Sequence, residues 1–283
     1  MKLLVDSGST KADWISIDEN GKVLFTTQTL GLNPEVLNKE EIISRLDDRF
    51  DILHNKNNVS NLFFYGAGCG TDRMKTFLTE VYQDYFPNAA VVVHEDTYAA
   101  VYATTPKNEK AIVCILGTGS NCSYFDGNVL HQKVQSLGYI AMDDCSGNQF
   151  GRQLIRGYYF GKMPKELAAK FEKEFNLDAD VIKHNLYKEP NPNAYLATFA
   201  KFLIQHKDEE YCQKIILSGM EDFVENYIKQ FENYHEVPVH FIGSIAFYLK
   251  DELKQVLDKH GLQLGNVLRR PIDGLIQFHI QNK

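Results

Sequence analysis

The chain has 283 residues with a formal net charge of −7, and 44% of the residues are hydrophobic while 24% are charged. This ordinary globular composition excludes a largely disordered chain and a fibrous repeat protein, and the length favours two domains. The acidic balance and the absence of a long Lys/Arg block argue against binding to duplex nucleic acid.

The N-terminal third alternates between predicted strands and helices. Three strands are predicted over residues 3–6, 11–18 and 22–28, with an Asn-Gly turn at Asn20-Gly21 before the third. A helix over 39–54, a strand over 61–65, a helix over 71–86, a strand over 89–94 and a helix over 96–103 follow. This alternation predicts an α/β domain in which helices cover a sheet.

A long internal repeat begins after residue 110. AIVCILGTGSNCSYFDGNVL, from Ala111, resembles KLLVDSGSTKADWISIDENGKVL, from Lys2: an apolar strand, a Gly/Ser/Thr turn, a second strand, an acidic-Gly turn and a third strand. The offset of about 110 residues exceeds the period of a solenoid repeat, so it indicates a duplicated domain.

The second half is rich in predicted helices. They cover residues 147–161, 164–175, 193–206 and 209–234, and a strand over 237–242 leads into Gly243-Ser244 and a long helix to about 260. A last strand ends near Val267, and Pro271 opens the final helix.

The compartment is predicted from what the chain lacks. The apolar run at residues 3–5 is too short for a signal-peptide core, and no stretch approaches the ~20 apolar residues of a membrane span. The five cysteines show no CxxC spacing. We therefore expect a cytoplasmic protein with no membrane partner.

Two Gly-rich turns, one in each repeat, are the candidate anion-binding elements. The turn after the first strand contains Gly8, Ser9 and Thr10, and its counterpart contains Gly117, Thr118, Gly119 and Ser120. Small residues leave backbone N–H groups accessible, and the hydroxyls add donors, so a pair of such turns could hold one polyphosphate. Neither turn fits a P-loop or a dinucleotide-binding fingerprint.

Three motifs resemble those of one superfamily. The segments Asp6-x-Gly-Ser-Thr-Lys-x-Asp-Trp14, Gly117-Thr-Gly-Ser-Asn-Cys122 and Phe241-Ile-Gly-Ser-Ile-Ala246 resemble the phosphate-1, phosphate-2 and adenosine motifs of the sugar kinase, actin and heat-shock ATPase superfamily. The N-acetylglucosamine kinase-like branch, grouped with the BadF/BadG/BcrA/BcrD ATPases, is the most similar. The resemblance covers nearly the whole chain.

The resemblance implies two ribonuclease-H-like domains with ATP in the cleft between them. The domains would be residues 1–108, completed by the C-terminal helix 271–283, and residues 109–270. Gly243 and Ser244 would contact the adenosine. ATP and a small amino sugar would be the ligands, without nucleic acid, and a homodimer is one option for the assembly.

Two aspartates are candidates for the central chemistry. Asp6 ends the first strand beside the phosphate turn, where a carboxylate can hold hydrated Mg²⁺, and the family assigns that role to the matching Asp. Asp96 ends a buried strand and begins a helix, and it is the candidate general base for the sugar hydroxyl, although it could also simply cap the helix. Glu95 is expected to point to the opposite side.

Substrate contacts are predicted from the resemblance at four positions. Asn33 lies in a Gly-Leu-Asn-Pro loop that resembles a sugar-contacting loop, and Asn121 follows the second phosphate turn. Asp143 and Asp144 lie in a loop where relatives carry LGxxLGDEGSG. Here Met142 and Cys145 replace glycines and Asp144 replaces a glutamate, so we expect positive φ to be excluded at those two positions and the sugar pocket to change shape.

These observations favour ATP-dependent phosphorylation of an amino sugar, with N-acetylglucosamine as the first candidate. One alternative is an ATPase that activates an electron-transfer partner, in which Cys122 and Cys145 would have to hold an iron–sulfur cluster. The other is a nucleotide- or sugar-binding protein with little turnover, which the departures at residues 142–145 motivate.

Overall fold

The computed structural model describes residues 1–8 and 11–281. Residue contacts divide the chain into two compact units. Unit 1 comprises residues 1–106 and the C-terminal segment from Arg270, and unit 2 comprises Lys107–Arg269. In the described part of the chain, no helix combines the length and the apolar character that crossing a bilayer requires.

Unit 1 is built on a five-stranded mixed sheet. Its strands are β1 (Lys2–Ser7), β2 (Lys11–Ile17), β3 (Val23–Leu30), β4 (Asn61–Gly66) and β5 (Ala90–Glu95), in the order β3-β2-β1-β4-β5. β2 pairs antiparallel with β1 and β3, whereas β1, β4 and β5 run parallel. The carboxyl ends of these three strands therefore lie at one edge of the sheet.

Unit 2 repeats this sheet. Its strands are β6 (Ala111–Leu116), β7 (Ser120–Phe125), β8 (Leu130–His131), β9 (Val239–Ile242) and β10 (Leu264–Leu268), in the order β10-β9-β6-β7-β8. β7 pairs antiparallel with β6 and β8, whereas β6, β9 and β10 run parallel. Read from the other side, this is the order of the first sheet, which confirms the predicted α/β fold with two duplicated domains.

The helices fall where the alternation predicts them, with two kinds of difference. In chain order they are α1 (Lys39–Asp47), α2 (Phe50–Asn55), α3 (Asp72–Tyr85), α4 (Asp96–Thr104), α5 (Gly147–Tyr159), α6 (Lys165–Glu174), α7 (Ala179–Tyr187), α8 (Pro192–Thr198), α9 (Ala200–Gln205), α10 (Glu210–Asn226), α11 (Ser244–Tyr248), α12 (Lys250–Lys259) and α13 (Pro271–Gln281). The predicted helices over 39–54, 193–206 and after 243 are each divided in two, and the helix predicted over 209–234 ends at Asn226. Helix α7 lacked a prediction.

Alternating side chains of β1 serve both faces of the first sheet. Leu3 and Val5 pack into the larger apolar cluster of unit 1, while Leu4 points to a smaller cluster on the other face. Ile272 and Leu275 of α13 complete that smaller cluster. The C-terminal helix thus covers a sheet face formed more than 250 residues earlier, and the fully buried Leu275 shows how closely it packs.

Candidate active site

Two aspartates lie at the carboxyl ends of two parallel strands of unit 1, β1 and β5. Asp6 lies on β1, and Asp96 follows β5 as the first residue of α4. β4 lies between these strands in the sheet, and the negative charge of Asp96 acts directly on Asp6. The fold therefore brings together the two carboxylates that the sequence analysis selected for metal binding and base catalysis.

The Asp6 carboxyl titrates close to neutral pH. Burial is the largest cause, and the negative charges of Asp96 and Asp13 add to it, so the pKa rises from 3.8 to about 7. The cationic groups of Lys11 and Arg270 oppose this rise without cancelling it. A carboxylate that accepts a proton this readily is one that a divalent cation would stabilise in its ionised form.

Asp96 also has a raised pKa, of about 6 instead of 3.8. Burial is again the main cause, and the neighbouring Glu95 charge contributes. The backbone N–H groups of Thr97 and of Asp96 itself donate to the carboxylate and lower the value. Asp96 is therefore a base that is largely ionised at neutral pH yet can accept a proton, and the first turn of α4 orients it.

The Glu95 carboxylate, which the strand alternation predicted to point away from this site, lies near Gly70. A Cβ built on Gly70 would lie 3.8 Å from its carboxylate, and its charge raises the pKa values of Asp96 and Cys69. The helix α4 begins immediately after Glu95, which is the helix N-cap, so strand alternation no longer governs its direction. The Glu95 charge therefore acts on Asp96 and is not among the charges that raise the pKa of Asp6.

The loop that contains Asn33 docks on this edge. The Leu32 N–H donates to Ser7 Oγ at 3.0 Å, which ties the loop to the end of β1. Asn33 Oδ1 accepts from the Glu35 N–H at 2.9 Å and covers Gly68, where an added Cβ would lie 2.0 Å from that oxygen. Gly68 has φ +83°, so both its conformation and its lack of a side chain are required here.

The first of the two Gly-rich turns, the candidate phosphate-binding turn at residues 8–10, is only partly described. The Gly8 N–H donates to the Lys11 carbonyl at 3.0 Å, which closes the turn between β1 and β2. The other two predicted phosphate contacts, Ser9 and Thr10, lie outside the described residues. Gly8 itself is exposed, so its backbone is accessible to a ligand.

The second phosphate turn is fixed by the first turn of α5. The N–H groups of Gly147 and Asn148 donate to the carbonyls of Gly117 and Thr118 at 2.8 and 3.0 Å, and the Asn148 side-chain amide also donates to the Thr118 carbonyl at 2.7 Å. The carbonyls of the turn are thus occupied. Ser120 Oγ and Asn148 Oδ1 are buried without a hydrogen-bond partner among the described groups. Asn121, half-buried, follows on β7.

Gly243 brings the third motif against this turn. It has φ +117°, and a Cβ there would lie 2.2 Å from the Leu116 carbonyl oxygen and 3.2 Å from the Gly117 nitrogen. Only glycine allows the chain to pass so close to the end of β6. The next residue, Ser244, is exposed at the start of α11.

A cavity of about 650 Å³ adjoins both motifs within unit 2. Its lining joins Gly117, Thr118, Gly147 and Ser244 to apolar side chains of α8, α9 and α11, among them Ala197, Ala200, Ile204, Ile245 and Tyr248. This size is typical of a site for a small organic ligand, and the mixture of apolar walls and a glycine-rich floor suits a nucleoside with an attached phosphate.

The loop at residues 142–145, where the sequence departs from that of its relatives, packs tightly into unit 2. Asp143 is buried, accepts from Asn148 Nδ2 at 2.8 Å, and lies against Gly119 of the second phosphate turn. Asp144 accepts from Gln149 Nε2 at 3.1 Å and from Asn226 Nδ2 at 3.0 Å. Both of the carboxylates predicted to contact the sugar therefore already have partners within the protein.

The expectation that non-glycine residues exclude positive φ from this loop is wrong at Cys145. Cys145 has φ +58° and Asp143 has φ +69°. The Cys145 N–H donates to Gln149 Oε1 at 2.8 Å, and its side chain is fully buried in the unit 2 core. This packing and hydrogen bonding hold a conformation that costs a side-chain-bearing residue roughly 1–2 kcal/mol.

No protein-family model matches the chain. A protein from Porphyromonas gingivalis, reported as a candidate N-acetylglucosamine kinase, is 36% identical, with a TM-score of 0.92 and coverage of 100% of this chain and 99% of that one. The chain belongs to the N-acetylglucosamine kinase-like family of sugar kinases.

Two more distant members of this structural group show the same fold. A candidate N-acetylglucosamine kinase from Chromobacterium violaceum is 15% identical over 98% of both chains, with a TM-score of 0.68. A ROK family glucokinase from Streptomyces griseus, determined with glucose and AMPPNP, is 16% identical with a TM-score of 0.56, over 98% of this chain and 97% of that one.

Sequence reasoning missed the walls of the cavity in this N-acetylglucosamine kinase-like chain. Ala197 and Ala200, which form part of one wall, belong to short helices and carry no motif. Tyr248, which also lines the cavity, lies four residues beyond the recognised Gly243-Ser244 pair. Residues four apart on a helix share a face, and this spacing from Ser244 was the one sequence signal that could have pointed to Tyr248.

Proposed function

We propose that this protein is an ATP-dependent sugar kinase that phosphorylates a hydroxyl group of an amino sugar, with N-acetylglucosamine as the first substrate to test. The observation that carries the proposal is the Asp96 carboxyl, which is half-buried, oriented by the first turn of α4, and has a pKa of about 6. Its position at a strand edge beside the Asn33 loop supports a role in chemistry.

In the proposed reaction Asp96 receives the proton of the sugar hydroxyl. The hydroxyl oxygen forms a bond to the γ-phosphorus of ATP while the bond from that phosphorus to the ADP oxygen breaks, so the products are a sugar phosphate and ADP. A base with a pKa near 6 is ionised at neutral pH and can hold the proton as the new bond forms. The raised pKa also strengthens its hydrogen bond to a hydroxyl donor.

The nucleotide has a matching site in unit 2. The cavity of about 650 Å³ supplies apolar walls for a base and ribose, and its floor is the second phosphate turn. The carbonyls of Gly117 and Thr118 are engaged by α5, so the turn offers its remaining polar groups to phosphate. The buried, unpartnered Ser120 hydroxyl is a further donor close to this turn.

Asp6 fits the role of holding Mg²⁺ through water. A single carboxylate with room for water and substrate phosphates is the donor set that Mg²⁺ prefers, and Mg²⁺ supplies charge neutralisation to a transferring phosphoryl group. Among the described residues no group of three or more His, Cys, Asp or Glu side chains could form a complete metal site. This favours binding that depends on the nucleotide. At a pKa of about 7, Asp6 would release its remaining proton when the cation binds.

The sugar is proposed to bind beside the carboxylate edge. Asn33 is held in place by its bond to the Glu35 N–H, and its amide nitrogen remains to donate to a sugar oxygen. Asn121, Asp143 and Asp144 remain proposed sugar contacts. The two aspartates would have to share oxygens that already accept from Asn148, Gln149 and Asn226.

The two alternatives differ in the support they receive. An iron–sulfur ATPase would need exposed thiolates, but Cys122 and Cys145 are buried in the unit 2 core and burial raises the pKa of the Cys145 thiol. A binding protein with little turnover is favoured by one observation, the partnered state of Asp144. Restoring the relatives' pattern by Met142→Gly, Asp144→Glu and Cys145→Gly tests it, since a sugar-binding defect in this loop would then be relieved.

A coupled assay for ADP release tests the proposal. We expect sugar-dependent turnover with Mg·ATP and an amino sugar, and mass spectrometry should show one added phosphate on the sugar. Glucose, N-acetylmannosamine and glucosamine serve as competing substrates. ADP release that is independent of every sugar, or ATP binding with no phosphorylated product, would contradict the assignment.

A further inference from the structure

Two groups of helical residues that line the unit 2 cavity differ in chemistry. One group comes from α11 and presents Ile245 and the ring of Tyr248. The other comes from α8 and α9, where the apolar Ala197, Ala200 and Ile204 are interspersed with polar residues, namely Thr198, Lys201 and Gln205. A planar purine base could therefore lie against the apolar surfaces and present its edge to Gln205.

The side-chain amide of Gln205, an exposed residue, faces the carboxylate of Glu174. One terminal atom of this amide lies 3.1 and 3.2 Å from the two Glu174 carboxylate oxygens, and because a carboxylate only accepts, we assign that atom as Nε2, which donates to both. Glu174 ends α6 and is also 3.6 Å from the Lys201 Nζ. Because a carboxylate accepts only, the amide cannot turn over without losing both bonds, and Gln205 Oε1 is left as the acceptor.

We propose that Gln205, with its amide oriented by Glu174, makes the nucleotide site selective for adenine over guanine. The inference rests on the proposed function, because it assigns the cavity to the nucleotide co-substrate. Adenine carries an exocyclic amino group at C6 that donates to Gln205 Oε1. Guanine carries a carbonyl oxygen at the same position, so two acceptors would face each other. Glu174 is the positioning residue in this arrangement.

The stacking contact cannot supply this selectivity. Arg269 lies over the Tyr248 ring, with its guanidinium carbon 5.5 Å from the ring centroid, and so supports one face of the tyrosine. A stacked aromatic ring accepts either purine, since every base has a π face. Discrimination must then come from a group on the base edge, and Gln205 is a cavity-lining group whose donor and acceptor ends are fixed.

Calorimetric binding of ADP and GDP to the full-length protein tests the inference without requiring turnover. The wild type should bind ADP at least about tenfold more tightly than GDP, the effect of one well-placed polar contact. Glu174→Gln frees the amide to rotate and should reduce the ratio to within about threefold, mainly by a gain in GDP affinity. Gln205→Leu should lower ADP affinity about tenfold while changing GDP affinity less.

Lys170→Met is the matched control, because Lys170 is an exposed residue of α6 that pairs with Glu209 and does not line the cavity. It should keep the wild-type ratio. An unchanged ratio in both Glu174→Gln and Gln205→Leu would overturn the inference, as would equal ADP and GDP affinities in the wild type, while the kinase proposal would stand. A wild type that binds neither nucleotide would overturn both.

Discussion

Replacing Asp96 by asparagine should make the protein more stable and nearly inactive. The carboxyl is half-buried, and its pKa lies above the ordinary value because partial burial and the Glu95 charge disfavour the ionised form. Asparagine has the same shape and keeps an oxygen that can accept from the Thr97 N–H. The substitution therefore removes a charge that the fold disfavours while leaving the local hydrogen bonding available.

The size and pH dependence of the gain follow from the pKa. The unfolded chain loses its proton near pH 3.8 and the folded protein near 6, so stability falls as pH rises between these values and stays lower above them. At ~1.4 kcal/mol for each pKa unit, the ionised Asp96 lowers the free energy of unfolding at pH 8 by about 3 kcal/mol. At pH 5 the Asp96 carboxyl of the folded protein is mostly protonated, and the free energy of unfolding is lowered by about half as much.

Urea unfolding at pH 8 and pH 5 measures this effect. Asp96→Asn should raise the free energy of unfolding by about 3 kcal/mol at pH 8 and by about 1.5 kcal/mol at pH 5. In the same variant kcat should fall by roughly 10²–10⁴, while ADP affinity should be retained. The exposed Asp208→Asn is the control and should change neither quantity. A stability gain that does not depend on pH, or near-normal turnover, would refute the reasoning.

Three further substitutions separate the parts of the site. Asp6→Asn should increase the Mg²⁺ concentration needed for half-maximal turnover at least tenfold, with sugar affinity measured by calorimetry without nucleotide nearly unchanged; a collapse of sugar affinity would instead place Asp6 in the sugar site. Gly68→Ala should weaken sugar binding about tenfold and spare ADP binding, because its Cβ would displace Asn33. Gly243→Ala should destabilise the protein by more than about 2 kcal/mol in urea unfolding and weaken ADP binding, because φ +117° and the nearby Leu116 carbonyl both oppose a side chain. Full stability in that variant would contradict the close approach.

The sheets could be predicted from the sequence because their signals are local. Alternating apolar residues, the Asn20-Gly21 turn and the two Gly-rich turns each act within a few residues, and the repeat then predicted that both domains share one topology. Helix α7 was missed although Asp178 accepts from the N–H groups of Asp180 and Val181 as its N-cap. That capping signal was in the sequence, but without a strong apolar stripe it did not stand out.

The parts of the site that could not be predicted depend on tertiary contacts. The cavity brings residues of α8 and α9 near residues of α11, about 40 residues further along the sequence. The pKa of about 7 at Asp6 likewise needs burial and a second carboxylate from a strand 90 residues away. Neither the cavity lining nor the surroundings of Asp6 can be read from composition or periodicity, because both depend on residues that are far apart in the sequence.

The same topology carries opposite chemistry in the two units. The penultimate residue of β1 is Asp6, whereas the penultimate residue of β6 is the apolar Ile115. The fifth strand of unit 1 ends at Glu95, whereas that of unit 2 ends at Leu268. One sheet edge is thus suited to holding protons and a cation, and the other to packing an apolar base beside glycine-rich backbone. Since the folds are equivalent, this difference arises from a few residues at the strand ends, and it is there that duplication allowed the two units to acquire separate roles.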